Sequence, residues 1–123
     1  MELSVQVVTK TSNAFGELRY EFSQGDNFIG VASISIEETS YVIDFLTVMP
    51  DNRGEGYGSK ILQFLCQNLN DKPIALELDP GSPFGFNNLL SWYGRHGFIP
   101  TSGNWMVRQP HPSSSKLQQI PGL

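Results

Sequence analysis

The stretch Val48-Met49-Pro50-Asp51-Asn52-Arg53-Gly54-Glu55-Gly56-Tyr57-Gly58-Ser59 joins two segments of different periodicity. Before it, Tyr41 to Met49 is almost continuously apolar, which predicts a central strand buried on both faces. After it, from Gly58 to Leu69, apolar Ile61, Leu62, Leu65, Cys66 and Leu69 lie opposite Lys60, Gln63 and Gln67. That spacing predicts an amphipathic helix of about three turns. The alternate glycines Gly54, Gly56 and Gly58 remove Cβ atoms, so the loop can curl and bring its backbone N–H groups close to a ligand. Those groups and the dipole of the helix N-terminus favour an anion, and Arg53 adds a positive charge. The pattern asks for phosphate. It is not a Walker A loop, because Gly58-Ser59-Lys60 has the wrong order, and the spacing Gly54-x-Gly56-x-Gly58 is not the dinucleotide G-x-G-x-x-G.

Upstream, Leu3 to Thr9 alternates as a strand, Ser12 to Gly16 reads as a turn, and Glu17 to Ser23 reads as a half-exposed strand. Gly25-Asp26-Asn27 supplies hairpin chemistry before the β-branched run Phe28 to Glu37. Downstream, Asn70 to Pro73 ends the helix, and Ile74, Leu76 and Leu78 alternate with Ala75, Glu77 and Asp79 as a further strand. A second helix is expected over Phe86–His96, closed by Gly97 in the left-handed conformation, with short strands at Phe98-Ile99 and Asn104 to Arg108. The fold class is therefore α+β, a mixed and mainly antiparallel sheet with two main helices. One domain is expected over residues 1–108, followed by a tail, 109–123, whose lack of periodicity predicts disorder.

At 123 residues, 39% hydrophobic, with eight Phe, four Tyr and two Trp, the chain can bury one core. It has no apolar run long enough to span a membrane and no signal-peptide pattern, so a soluble, cytoplasmic protein is expected. A single cysteine, Cys66, and two histidines, His96 and His111, give neither an internal disulfide nor a metal cluster, so no metal is expected. The net charge of −4 argues against nucleic-acid binding. Residues 1–50 carry seven acids against Lys10 and Arg19, a balance suited to attracting a cation.

Arg53-Gly54-Glu55-Gly56-Tyr57-Gly58 resembles the Arg/Gln-x-x-Gly-x-Gly/Ala signature of the GNAT (GCN5-related) N-acetyltransferases. Leu46-Thr47-Val48-Met49-Pro50 is similar to that family's strand before the loop, and Trp92-Tyr93-Gly94-Arg95-His96-Gly97-Phe98 to its F-Y-x-x-x-G-F helix end. The likeness spans roughly residues 28–108. It implies that acetyl-CoA is the cosubstrate, its pyrophosphate held by Arg53, Gly54, Gly56, Gly58 and Ser59. Its pantetheine arm would lie on the strand edge at Leu46 and Val48, where the strand splays from Ile74 to Asp79. A backbone N–H near Val48 or Met49 would polarise the thioester. The acetyl group would pass directly to an amine.

Such a transfer needs a deprotonated amine and an acid for the departing thiolate. Tyr93 holds the family's tyrosine position and is the candidate acid, though its helix face also carries Phe86, Leu89 and Leu90, as a core tyrosine's would. Asp44 interrupts the most apolar strand; buried there, it would need a partner or a raised pKa, and it is a candidate base. Glu77, Asp79 and water are the alternatives. Cys66 reads as a packing thiol, and His96 as a cation at a helix C-terminus. The family's asparagine position, seven residues before the tyrosine, holds Phe86, with Asn87 and Asn88 displaced beside it.

Only Thr11 to Gly16 separates the first two strands, where the family usually inserts two helices that wall the acceptor site. The chain looks like the compact, phage-type members that acetylate proteins. An open groove suits a protein lysine or N-terminus, while a small amine, a wall supplied by a second subunit, or a non-catalytic acyl-CoA- or partner-binding module stay open.

Overall fold

The computed structural model describes residues 4–10 and 16–110. The tail from residue 111 on, His111 with it, and the turn ahead of Gly16 lie outside the described residues. Seven strands, β1 (Ser4–Lys10), β2 (Glu17–Gln24), β3 (Asn27–Ile36), β4 (Tyr41–Val48), β5 (Ile74–Glu77), β6 (Ile99–Pro100) and β7 (Trp105–Arg108), form one sheet in the order β1-β2-β3-β4-β5-β7-β6. Two helices, α1 (Tyr57–Asn68) and α2 (Phe86–Gly94), complete the fold, and β4 with β5 is the parallel pair. The second helix stops at Gly94, earlier than the expected His96. Arg95 and His96 turn the chain instead, and Gly97 at φ 93° releases it into Phe98.

The pairing register decides where the core lies. Leu18 and Tyr20 of β2 face Ile34 and Ala32 of β3, which face Ile43 and Leu46 of β4. Tyr41 opposite Ile74 and Leu76 opposite Met106 carry the same face on to β5 and β7. Directly paired residues share a face, so these side chains form one apolar surface. Ile61, Leu62, Leu65 and Cys66 of α1 are buried in that core, and Leu89, Leu90, Trp92 and Tyr93 of α2 pack against it. Among the described residues no helix covers the opposite face, which presents Glu21, Ser33, Phe45, Glu77 and Trp105.

This corrects the expectation for β4. It is central, yet its burial is confined to Ile43, and both Asp44 and Phe45 are exposed. Ile34 opposes Ile43 and Ser33 opposes Phe45, so Asp44 is the extra residue of a β-bulge. The bulge turns two successive side chains away from the helices, onto the uncovered face. Asp44 is therefore not a buried carboxylate; it accepts a hydrogen bond of 2.5 Å from the Ser35 hydroxyl.

Candidate active site

Strand β5 pairs with β4 only at Tyr41–Ile74 and Val42–Ala75, and beyond that point the two strands part. The parting opens a cleft of about 780 Å³, in the range of small-molecule sites, walled by the loop after β4, the start of α1 and the inner side of α2. On its β4 side the antiparallel ladder fixes which backbone groups are free. The Met49 N–H donates to the Ile29 carbonyl at 2.8 Å, so the alternation turns the polar groups of Val48 and Leu46 away from β3, towards the cleft. Met49 therefore cannot polarise a thioester, and Val48 is the residue of that pair whose N–H faces the opening.

The loop enters α1 through two left-handed glycines, Gly54 at φ 83° and Gly56 at φ 84°. A Cβ there would be strained, and the space beside both positions is empty. Gly56 is the residue preceding the helix and no side chain caps it. The first helical bond runs from the Lys60 N–H to the Gly56 carbonyl at 3.2 Å. The N–H groups of Tyr57, Gly58 and Ser59 thus lack helical acceptors at the end of the helix that favours negative charge. Gly58 serves a different purpose: a Cβ there would lie 3.4 Å from the Trp92 ring, whose indole N–H donates to Ser59 Oγ at 3.1 Å. That contact locks α2 against the mouth of α1.

Arg53 donates through Nε to the Val48 carbonyl at 2.9 Å, and its guanidinium lies 5.7 Å from the centre of the Phe84 ring, which is 54% exposed. Its charge is thereby held at the cleft rim. Asn52, only 8% exposed, donates to the Phe28 carbonyl at 3.1 Å and accepts from Asn27 Nδ2 at 3.0 Å. It ties the loop to the β2–β3 hairpin. Sequence reasoning passed over Asn52 and Phe84, because their partners are distant in the chain.

Leu46, Val48, Arg53, Gly54, Gly56, Gly58, Ser59 and Tyr93 all line this cleft; Asp44 does not. The Tyr93 ring packs on Trp92 and Phe98, with centroids 4.8 and 5.6 Å away, and no group among the described residues hydrogen-bonds its hydroxyl. Burial holds its phenol above the ordinary pKa, so it stays protonated at neutral pH. Glu77 and Asp79 both line the cleft, as does Asn88, while Asn87 is exposed away from it. Asp79 accepts the Gly81 N–H at 2.9 Å, and Asn88 donates to the Phe84 carbonyl at 2.9 Å.

His96 differs from expectation. Burial, then Arg95 and Arg108, hold its pKa below the ordinary value, so it is neutral rather than a helix-capping cation. Cys66 is buried in the core, and burial raises its thiol pKa. Among the described residues no three His, Cys, Asp or Glu side chains gather as a metal site would require, and no helix is long and apolar enough to cross a membrane.

A family model described as Acetyltransferase (GNAT) domain matches residues 18–100. The chain belongs to the GNAT family. Acetyl-CoA is the cosubstrate of that family, and the uncapped helix start, the glycine cradle and the free β4 edge fit its phosphates and its amide-bearing arm. No curated protein matches the sequence. The GNAT fold recurs in solved structures. The ribosomal-protein-S18-alanine N-acetyltransferase of Escherichia coli superposes with a TM-score of 0.66 at 13% identity, over 86% of this chain and 91% of its own. A GNAT-family protein of Bacteroides thetaiotaomicron gives 0.62 at 23% identity, over 83% of this chain, which spans 66% of that protein's length. The PaiA N-acetyltransferase of Thermoplasma acidophilum, solved in complex with coenzyme A, gives 0.58 at 17% identity over 74% and 58% of the two chains.

Proposed function

We propose that this GNAT domain transfers the acetyl group of acetyl-CoA directly to an amine on a protein, a lysine or an N-terminus. The observation that carries the proposal is the meeting, in one cleft, of the uncapped α1 N-terminus with the unpaired Leu46–Val48 edge. On this reading Arg53 and the N–H groups from Gly54 to Ser59 bind the pyrophosphate. Leu46 and Val48 orient the pantetheine arm, for which Arg53 must release the Val48 carbonyl. The Val48 N–H meets the thioester oxygen as negative charge develops on it, a contact worth about 3–4 kcal/mol in acyl transfers. Tyr93 gives its proton to the departing thiolate, which its raised pKa allows because the group is fully loaded at neutral pH.

Support for a protein acceptor comes from the uncovered sheet face, which offers no wall around a small amine among the described residues. The proposal is tested by incubating the chain with acetyl-CoA and a mixture of peptides and polyamines, following thiol release and product mass. Acetyl-CoA-dependent acetylation of a peptide is the expected result. Acetylation of the polyamines alone would refute the protein acceptor, and binding without any transfer would leave an acyl-CoA-binding module.

A further inference from the structure

Arg53 makes two contacts that close the slot it is placed to serve. Its Nε donates to the Val48 carbonyl at 2.9 Å, and that carbonyl is one of the edge groups turned away from β3 into the cleft. The same guanidinium lies 5.7 Å from the centre of the Phe84 ring, in the segment that joins β5 to α2. That ring is held by its own turn. The Phe84 N–H donates to Ser82 Oγ at 3.2 Å, and its carbonyl accepts from Asn88 Nδ2 at 2.9 Å. Arg53 thus ties the β4 side of the cleft to the β5–α2 segment, where β4 and β5 have parted. Among the described residues no acid pairs with Arg53, and its two terminal nitrogens have no acceptor.

A guanidinium with free terminal donors and one bond to a strand carbonyl can be drawn off that carbonyl by a better acceptor. Phosphate is such an acceptor, because its oxygens take two parallel N–H bonds from a guanidinium, stronger than one bond to a neutral carbonyl. A thioester whose arm carries no phosphate must break the Arg53–Val48 bond and gives the guanidinium nothing in exchange. Resting on the acetyltransferase reading above, we propose that Arg53 is a latch on the arm's slot that sets the class of acyl donor. Thioesters with phosphate at the far end of the arm open it, and phosphate-free thioesters do not. When Arg53 moves from Val48 to phosphate, the carbonyl becomes free for an amide N–H of the arm. The strand edge therefore takes the arm only where the loop holds phosphate. A ligand shifts such an equilibrium only by its differential affinity for the two states, and here the charge-assisted contact supplies that difference.

The test titrates two donors, acetyl-CoA and S-acetyl-pantetheine, into wild type, Arg53→Ala and Arg53→Gln. Affinity is read by calorimetry and by the ligand-induced rise in melting temperature. Glutamine carries its amide nitrogen as many bonds from the backbone as the arginine Nε, so Arg53→Gln keeps a donor for Val48 and loses the charge. Ligand-free melting temperatures of the three proteins should agree closely, because the side chain is exposed. Both variants should bind acetyl-CoA about 10-fold more weakly than wild type. For S-acetyl-pantetheine the variants part. Arg53→Ala should bind it roughly 3- to 10-fold more tightly than wild type, as one hydrogen bond no longer has to be broken, and Arg53→Gln should match wild type. Opposite changes for two donors in one variant cannot come from a general loosening of the loop. Unchanged or weaker binding of S-acetyl-pantetheine by Arg53→Ala, or an equal gain in Arg53→Gln, would overturn the latch; acetyl-CoA binding by wild type would still leave the acetyltransferase reading intact. Absence of acetyl-CoA binding by wild type would overturn both.

Discussion

Gly56 precedes α1 at the cleft, where the proposed function puts the pyrophosphate, and replacing it with aspartate separates the fold from the ligand. Its φ of 84° and ψ of 4° place any side chain in the left-handed region, which costs roughly 1–2 kcal/mol. A Cβ there meets nothing within 4 Å, so no steric penalty adds to that strain. For a domain of this size the melting temperature should fall by about 4–10 °C, with the fold retained. Acetyl-CoA at a hundred times its Kd should raise the wild-type melting temperature through about 2.7 kcal/mol of stabilisation. In Gly56→Asp the carboxylate stands among the α1 donors that would hold pyrophosphate. Two unit charges about 4 Å apart repel by ~4 kcal/mol at an effective dielectric of ~20, enough to erase the ligand shift. Gly56→Asn carries the same strain without the charge, and should keep more of the affinity. Thermal unfolding of the three proteins with and without acetyl-CoA is the assay. A Gly56→Asp protein that still gains the full wild-type shift would refute the placement of phosphate on this helix.

Four further outcomes follow from the structure. Tyr93→Phe should lower kcat by on the order of 100-fold while changing acetyl-CoA affinity little, read by steady-state kinetics beside calorimetry. Asn52→Ala leaves the Phe28 carbonyl and the Asn27 amide without their partner, so stability should drop by about 1 kcal/mol, measured by urea unfolding, and acetyl-CoA binding should weaken as the loop loosens. His96 has a folded pKa below its unfolded 6.5, so its contribution to stability is present above that value and lost as pH falls through the folded value. Melting temperature should therefore decline on acidification below pH 6.5, and His96→Gln should flatten that part of the profile. Tyr41 behaves oppositely, since burial and the Asp71 carboxylate push its pKa up to about 12. Stability should fall as pH rises from 10 through about 12, and Tyr41→Phe should reduce the loss.

Much of this fold is local and therefore legible. The alternating runs Glu17 to Ser23 and Ile74 to Leu78 declare their strands, and the Ile61–Leu69 spacing declares α1, because each pattern is set by neighbours in the chain. The glycines and Arg53 mark the cradle for the same reason. What the sequence hides is non-local. An apolar run such as Tyr41 to Val48 does not reveal which face lacks a covering helix, nor that a bulge opposite Ser33 and Ile34 moves Asp44 into solvent. Asn52 looks like a loop residue until Asn27 and Phe28 arrive beside it, and Phe84 gains meaning only under Arg53. His96 follows the helix rule in sequence, yet burial first, then Arg95 and, from a later strand, Arg108 lower its pKa.

Calorimetric titration of acetyl-CoA into the wild-type chain decides whether the cleft beside α1 binds this cosubstrate. Saturable binding at one site per chain, weakened when the 3′-phospho-ADP portion is removed from the ligand, is the predicted result. A flat titration, or equal affinity for the truncated ligand, would contradict it.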